Sequence, residues 1–303
     1  MLPPLNNPSR LIQLIAKVTD LRPSDVQKRL IAETKKLGHT VSAEIQRRSI
    51  KPFVNSPALE RFYQESDAFL FESTVWNTCK AKQNMRKFIS NRLSRLDRTN
   101  QKMLCFGDGL GFDSAHFGCQ GHRVRYFDPS KKCSRFAKAV FQDNQLEIKT
   151  LNSLGQIQPG SMDVIVCLDV LEHIFNPIEF VKKFSDWLKP GGLLFVNSPF
   201  WLIHSTTPTH LLANRKFSGD IKNLYRSNDF IEIDSSLFWD PILFQKRIAQ
   251  PASLGPAARA RVRFGQAVLY PARWFGRLHS TVARMITRPS KDFLTAIQNA
   301  TFT

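Results

Sequence analysis

The 303-residue chain has no run of about 18 apolar residues, so no membrane-spanning helix is expected. Its opening, MLPPLNNPSRLIQLIAKVTD, lacks the basic-then-apolar order and the small-residue cleavage site of a secretory leader. Cysteine is scarce: five residues, at 79, 105, 119, 133 and 167, with no C-x-x-C pair. An odd count without paired spacing argues against a disulfide framework and a structural zinc site. Cys105 and Cys167 fall inside apolar runs, where cysteine packs as a small hydrophobe. A reduced, cytoplasmic protein without a structural metal is therefore expected. No internal repeat is visible. The scarcest feature is acid at the end of the chain. Residues 249–303 hold eight Lys/Arg against one Asp/Glu, residues 1–100 hold 18 against 9, and residues 101–248 hold 17 against 15. The net charge of +18 thus belongs to the flanks. Such flanks attract lipid headgroups or nucleic acid, or serve only solubility.

What is present divides the chain in three: residues 1–99, 100–248 and 249–303. Residues 22–38, RPSDVQKRLIAETKKLG, read as a helix with Ser24 as N-cap and Gly38 as stop. Residues 58–96 carry more helical pattern, with Tyr63, Phe71 and Trp76 as candidates to cap a pocket. Beyond residue 100 the texture changes. MLCF 103–106, RVRYF 123–127, LEIK 146–149, DVIVCL 163–168 and GLLFVN 192–197 alternate with helical segments. That alternation predicts an α/β domain, a parallel sheet with helices on both faces. FIEIDSS 230–236 and ILFQKR 242–247 read as two further strands after a helix near 218–228. In the basic C-terminal extension, Val268, Phe275, Leu278, Val282 and Ile286 share one helical face, and Arg273, Arg277, Arg284 and Arg288 another. Trp274 lies at their boundary and Pro271 interrupts the pattern. The segment suits a helix lying on a membrane surface or one packed on its own domain.

CFGDGLGFD, residues 105–113, is the glycine-rich turn after the first strand. Its pattern is G-x-G-x-G, through Gly107, Gly109 and Gly111, and not the G-x-G-x-x-G of a dinucleotide site. Glycine there lets backbone approach a ligand, and the helix beginning near Phe112 points free N–H groups at an anion. A pyrophosphate or the carboxylate of a methionine moiety would satisfy it. Asp128 in YFDPS ends the next strand, about 20 residues past the first glycine, where an acidic side chain grips ribose hydroxyls.

MDVIVCLDVLEHIFNP and LKPGGLLFVNSPF follow in order, and with them residues 100–248 resemble the class I S-adenosylmethionine-dependent methyltransferases. The resemblance implies a Rossmann-like seven-stranded sheet with its last strand antiparallel. It also implies S-adenosylmethionine as cofactor, with Gly107, Asp108, Gly109 and Gly111 at its methionine end. Asp128 and Pro129 would meet the ribose, Asn152 and Ser153 the adenine, and Leu168 and Asp169 the surroundings of the sulfonium. One departure stands out: the family usually has an acid two positions before the first glycine, and here that residue is Cys105. Asp108 is the candidate to compensate, and a non-catalytic cofactor-binding protein is the alternative.

Methyl transfer is an in-line displacement, so the protein chiefly positions the acceptor and needs a base only where the attacking atom carries a proton. Asp169, Glu172 and His173, at i, i+3 and i+4, converge if their segment is helical. The resemblance to ubiquinone-biosynthesis O-methyltransferases implies a divalent cation at these residues as one reading, and His173 as general base as another. The long segment 200–218 reads as a lid, with His204 as a second candidate base and His210 pinning the loop. NSPF, 197–200, is similar to an amine-methylating signature but stands after the fifth strand and not the fourth, which weakens a nucleobase acceptor. The expected activity is methylation of a small-molecule acceptor, most simply at a hydroxyl, with peripheral membrane contact through the tail. An RNA or protein methyltransferase using the basic flanks is the alternative.

Overall fold

The computed structural model describes residues 1–236, 241–276, 279–280 and 287–302. Six helices come first: α1 (Pro8–Thr19), α2 (Pro23–Lys35), α3 (His39–Arg47), α4 (Pro57–Glu65), α5 (Ala68–Thr78) and α6 (Lys80–Arg95). Strands and helices then alternate: β1 (Lys102–Phe106), α7 (Phe112–Gly118), β2 (Arg123–Phe127), α8 (Lys131–Asp143), β3 (Lys149–Thr150), β4 (Met162–Leu168), α9 (Pro177–Trp187) and β5 (Leu188–Asn197). A short α10 (Ile221–Leu224), β6 (Phe230–Ser235), β7 (Ile242–Lys246), α11 (Pro256–Leu269) and α12 (Lys291–Gln298) complete the described elements.

The seven strands form one sheet in the order β3-β2-β1-β4-β5-β7-β6. β1 to β5 run parallel, and β7 lies antiparallel between β5 and β6. The expected Rossmann-like sheet is thus present. Strand alternation shows why it is buried on both sides. Met103 and Cys105 of β1 join Val164 and Val166 of β4 beneath α6, through Met85, Phe88 and Ile89. Leu104, Phe106, Ile165 and Cys167 face the opposite layer, with Phe184 of α9 and Phe217 of the post-β5 segment. A strand covered on both faces must be apolar at every position. The extensions join this core: Leu11 and Ile15 of α1, Leu30 of α2 and Phe71 of α5 pack with α8, and Phe293 and Ile297 of α12 complete the cluster.

Several local readings change. α2 starts at Pro23, with Arg22 as N-cap and no side-chain cap, because proline already sets the first helical φ, so Ser24 lies inside the helix. Gly38 is the N-cap of α3 at φ +83°, and a Cβ there would fall 2.1 Å from the Thr206 carbonyl oxygen. It therefore joins the N-terminal helices to the segment that follows β5. The third strand shrinks to Lys149–Thr150, because Leu146 and Ile148 turn their side chains under Gly118. Phe71 is a fully buried core residue and caps nothing.

The amphipathic C-terminal stripe is also revised. α11 ends at Leu269, and Pro271 starts a new turn. Val268 consequently packs against the core while Phe275 faces outward. Arg273 is drawn inward, donating to the Ser218 carbonyl (2.7 Å) and pairing with Asp220 (3.3 Å). Arg277, Leu278, Val282, Arg284 and Ile286 lie outside the described residues.

Candidate active site

β1 and β4 are neighbours whose connections leave in opposite directions, so the crevice at their carboxyl ends is the topological switch point. The glycine turn occupies it. All three glycines adopt the left-handed region, φ +69° at Gly107, +55° at Gly109 and +78° at Gly111. Their surroundings separate their roles. A Cβ on Gly107 would lie 2.5 Å from Val170, and one on Gly111 2.7 Å from Ala137, so packing alone requires both. A Cβ on Gly109 would meet only the Ser73 hydroxyl, at 3.9 Å. Gly109 thus faces the open side of the cradle.

Asp128 closes this cradle. One carboxylate oxygen accepts the Gly109 N–H (2.9 Å) and the other the Ser130 N–H (2.8 Å), while Tyr126 donates to the Gly109 carbonyl (2.6 Å). Each Asp128 oxygen retains acceptor capacity toward a diol. Burial pushes its carboxyl up to about 6 despite these donors. Asp108 does not reach the crevice as a free acid. Its two oxygens cap α7 through the Asp113 and Ser114 N–H groups, and burial together with Asp113 pushes it up to about 7. Pro129, Asn152 and Ser153 are exposed. Ser153 is spent on a capping box with Gln156, which also receives the Asn152 N–H (2.8 Å).

Buried Leu168 leads into Asp169, which takes φ +61°. That conformation and the 3₁₀ turn at Leu171–His173 abolish the α-helical spacing on which convergence of Asp169, Glu172 and His173 depended. Asp169 turns instead to Trp76 Nε1 (2.9 Å), Lys82 Nζ (3.3 Å) and the Asn197 amide. Among the described residues, the donors that come within 4.8 Å of one another are those of Glu172, His173 and His210. The cation set with Asp169 therefore does not assemble.

His173 Nδ1 lies 2.9 Å from the Tyr63 hydroxyl and 3.1 Å from the Thr209 carbonyl, and burial lowers its pKa to about 4. Tyr63 stacks on Phe69 at 5.0 Å, so Tyr63 and Trp76 do reach the crevice. Asn214 donates to the Ile174 carbonyl (2.8 Å) and fixes the turn that carries His173. His210 is buried and edge-on to His173 (4.7 Å), which suits a loop-pinning role. His204 uses Nδ1 to accept the Thr206 N–H (3.1 Å) and shapes the turn that abuts Gly38.

A buried ionic group went unread in the sequence. Lys82 bridges Asp113 (3.0 Å) and Asp169, and Arg86 holds the other Asp113 oxygen (2.7 Å). Burial would raise Asp113, yet the two cations hold it at about 2. The signal was available: Lys82 and Arg86 fall on the same helical stripe as Met85, Ile89 and Leu93, where charge must be paired.

A doubly wound sheet whose switch point combines an open glycine cradle with a strand-end carboxylate is an architecture suited to an adenosyl cofactor. Comparison with known proteins specifies the class. A family model described as a methyltransferase domain matches residues 80–231, about half of the chain, and the chain belongs to that family. It is a class I S-adenosylmethionine-dependent methyltransferase. A ubiquinone biosynthesis O-methyltransferase of Idiomarina loihiensis is 31% identical over 135 residues, 42% of this chain and 55% of that protein. The counterpart from Xanthomonas euvesicatoria is 27% identical over 109 residues, 35% and 46% of the two chains. The chain thus spans about half the length of the curated relatives it matches. A Burkholderia thailandensis 1,6-didemethyltoxoflavin-N1-methyltransferase, solved with S-adenosylhomocysteine, aligns over 65% of this chain and 94% of its own at 15% identity, with a TM-score of 0.45. The residues present fit the cofactor: Gly109 leaves room for backbone approach, and Asp128 offers the diol acceptor.

Proposed function

We propose that the protein methylates a hydroxyl of a small-molecule acceptor. Support comes from the wall above the end of β4, where the Tyr63–Phe69 stack, the His173 imidazole and the Asp169 carboxylate combine aromatic surface with hydrogen-bonding groups. That combination suits a ring bearing a hydroxyl. Bound S-adenosylmethionine supplies a methyl group on a sulfonium. The chain must then orient the acceptor oxygen and take its proton. His173 is the group proposed for the proton. Its imidazole is neutral at physiological pH, its Nδ1 is fixed by Tyr63 and Thr209, and Glu172 Oε1 lies 4.0 Å from Nε2. Asp169, fixed by Trp76 and Lys82, orients the acceptor beside it.

The experiment supplies radiolabelled S-adenosylmethionine with dihydroxybenzoates, prenylated catechols and sugars, alongside RNA and protein. A methyl ether of a small molecule is expected. His173→Ala should then lower kcat roughly a hundredfold or more while cofactor affinity is retained. Label appearing only in RNA or protein would overturn the reading.

The proposed acceptor route includes peripheral membrane contact. No helix among the described residues is long and apolar enough to cross a membrane. Phe264, Tyr270, Trp274 and Phe275 are nevertheless all exposed, the last at 70%, within the segment that carries a single acid. Aromatic rings beside arginine suit an anionic lipid interface. Trp274→Ser with Phe275→Ser is expected to abolish sedimentation with phosphatidylglycerol vesicles. Binding that depends on charge alone and is transferred to RNA would count against it.

A further inference from the structure

The carboxylate missing at Cys105 raises the question of what faces the positive charge of the cofactor, since Cys105 is buried and burial pushes its thiol well up. The carboxylates around the crevice are nearly all committed. Asp108 caps α7, Asp113 holds Lys82 and Arg86, and Asp128 receives Gly109 and Ser130. Asp169 receives Trp76, Lys82 and Asn197, and Glu33 receives the N–H groups of Gly38 and Thr40. Glu72 differs. Among the described residues no hydrogen-bond donor or cation meets its half-buried carboxyl group.

Its position follows from α5. Phe69, three residues earlier, stacks on Tyr63, and Trp76, four residues later, donates to Asp169. These spacings put Glu72 on the same helical face, toward the end of β4. Ser73, the next residue, is the side chain nearest the open face of Gly109. The carboxyl group therefore stands at the mouth between the glycine cradle and Asp169, where the methionine end of the cofactor must lie if the adenosine occupies Asp128.

We propose that Glu72, from the N-terminal helices, supplies the carboxylate that receives the cationic methionine end of S-adenosylmethionine in place of the acid absent at Cys105. The inference rests on the cofactor assignment and is independent of the acceptor. Without ligand, burial first, then Glu33 and Asp169, raise the Glu72 carboxyl well above the ordinary range. Glu33 on α2, Tyr63 on α4 and Asp169 after β4 are the titratable groups that face it. A cation arriving beside it favours the ionised form, so binding releases a proton. Affinity then rises with pH until Glu72 is already ionised without ligand.

The test is calorimetric titration of the full chain with S-adenosylmethionine, in buffers of different ionisation enthalpy, between about pH 6 and about pH 8. Glu72→Gln is expected to weaken binding roughly tenfold or more at the upper pH and to release about one proton fewer than wild type. Asp108 and Asp128 titrate in this range as well, so the difference between the two proteins carries the result. S-adenosylhomocysteine keeps the ammonium and lacks the sulfonium. An equal loss with both ligands assigns the ammonium to Glu72, and a loss confined to S-adenosylmethionine assigns the sulfonium. Unchanged affinity and proton release in Glu72→Gln overturn the proposal. A wild type that binds neither ligand overturns the cofactor assignment and this inference with it. The ligand-free variant should melt no lower than wild type, because Gln removes a buried like-charge repulsion. If it does melt lower, Glu72→Asp decides the matter: it must retain the proton release.

Discussion

Asp128→Asn is expected to weaken S-adenosylmethionine binding roughly a hundredfold, about 2.7 kcal/mol, with a folded and cooperatively melting protein. Two separable losses add up. The carboxylate accepts both the Gly109 and the Ser130 N–H, one on each oxygen. An amide can satisfy one of them and presents its own NH₂ to the other, so the cradle loses its shape before the ligand arrives. A charged acceptor for the ribose diol is then lost as well. The pH dependence should follow in the same direction. Burial raises Asp128 to about 6, so wild-type affinity falls as pH drops through that value, and Asp128→Asn lacks that component of the fall. Calorimetry across this range with a parallel melting curve makes the check. Equal affinity in the two proteins would move the ribose elsewhere in the crevice.

The sheet was legible because its strands obey a local rule. Met103–Phe106 and Val164–Leu168 are apolar at successive positions, and only a strand covered on both faces permits that. The glycine turn and the acid that meets it were legible because a glycine needed at positive φ and an acid at a strand end are sequence-local features. What distinguishes Gly109 from Gly107 and Gly111 is tertiary, set by Val170 after β4 and Ala137 from α8. The proposed acceptor wall was legible only in pieces. Tyr63 and Thr209 lie 110 and 36 residues from His173, and no spacing rule joins them. The convergence of Asp169 with His173 failed on one backbone angle, φ +61° at Asp169, which no pattern of side chains announces for a non-glycine residue.

Removing the buried charge of Lys82 should have the largest effect on stability. Lys82 is 5% exposed and lies between two carboxylates, so burial favours its neutral form while Asp113 and Asp169 favour the charged one and raise its pKa. Lys82→Met keeps a buried apolar stem and deletes the charge, leaving Asp113 with Arg86 alone and Asp169 with Trp76 and Asn197. Breaking a buried pair on one side costs about 3–5 kcal/mol, and the surviving Arg86 contact places this variant near the lower end. The sign with pH is determined. Asp113 is held at about 2, below its ordinary value, so its contribution is present above about pH 4 and is lost as pH falls through about 2. In Lys82→Met the Asp113 carboxyl rises, so the deficit relative to wild type is greatest near neutrality and shrinks on mild acidification. Adding Asp169→Asn should recover part of the loss, because Asp169 is the carboxylate left without a cation when Lys82 is removed, whereas Asp113 keeps Arg86. Denaturant titrations of the three proteins at neutral and mildly acidic pH separate these terms. A deficit that does not change with pH would place the cost in packing and not in charge.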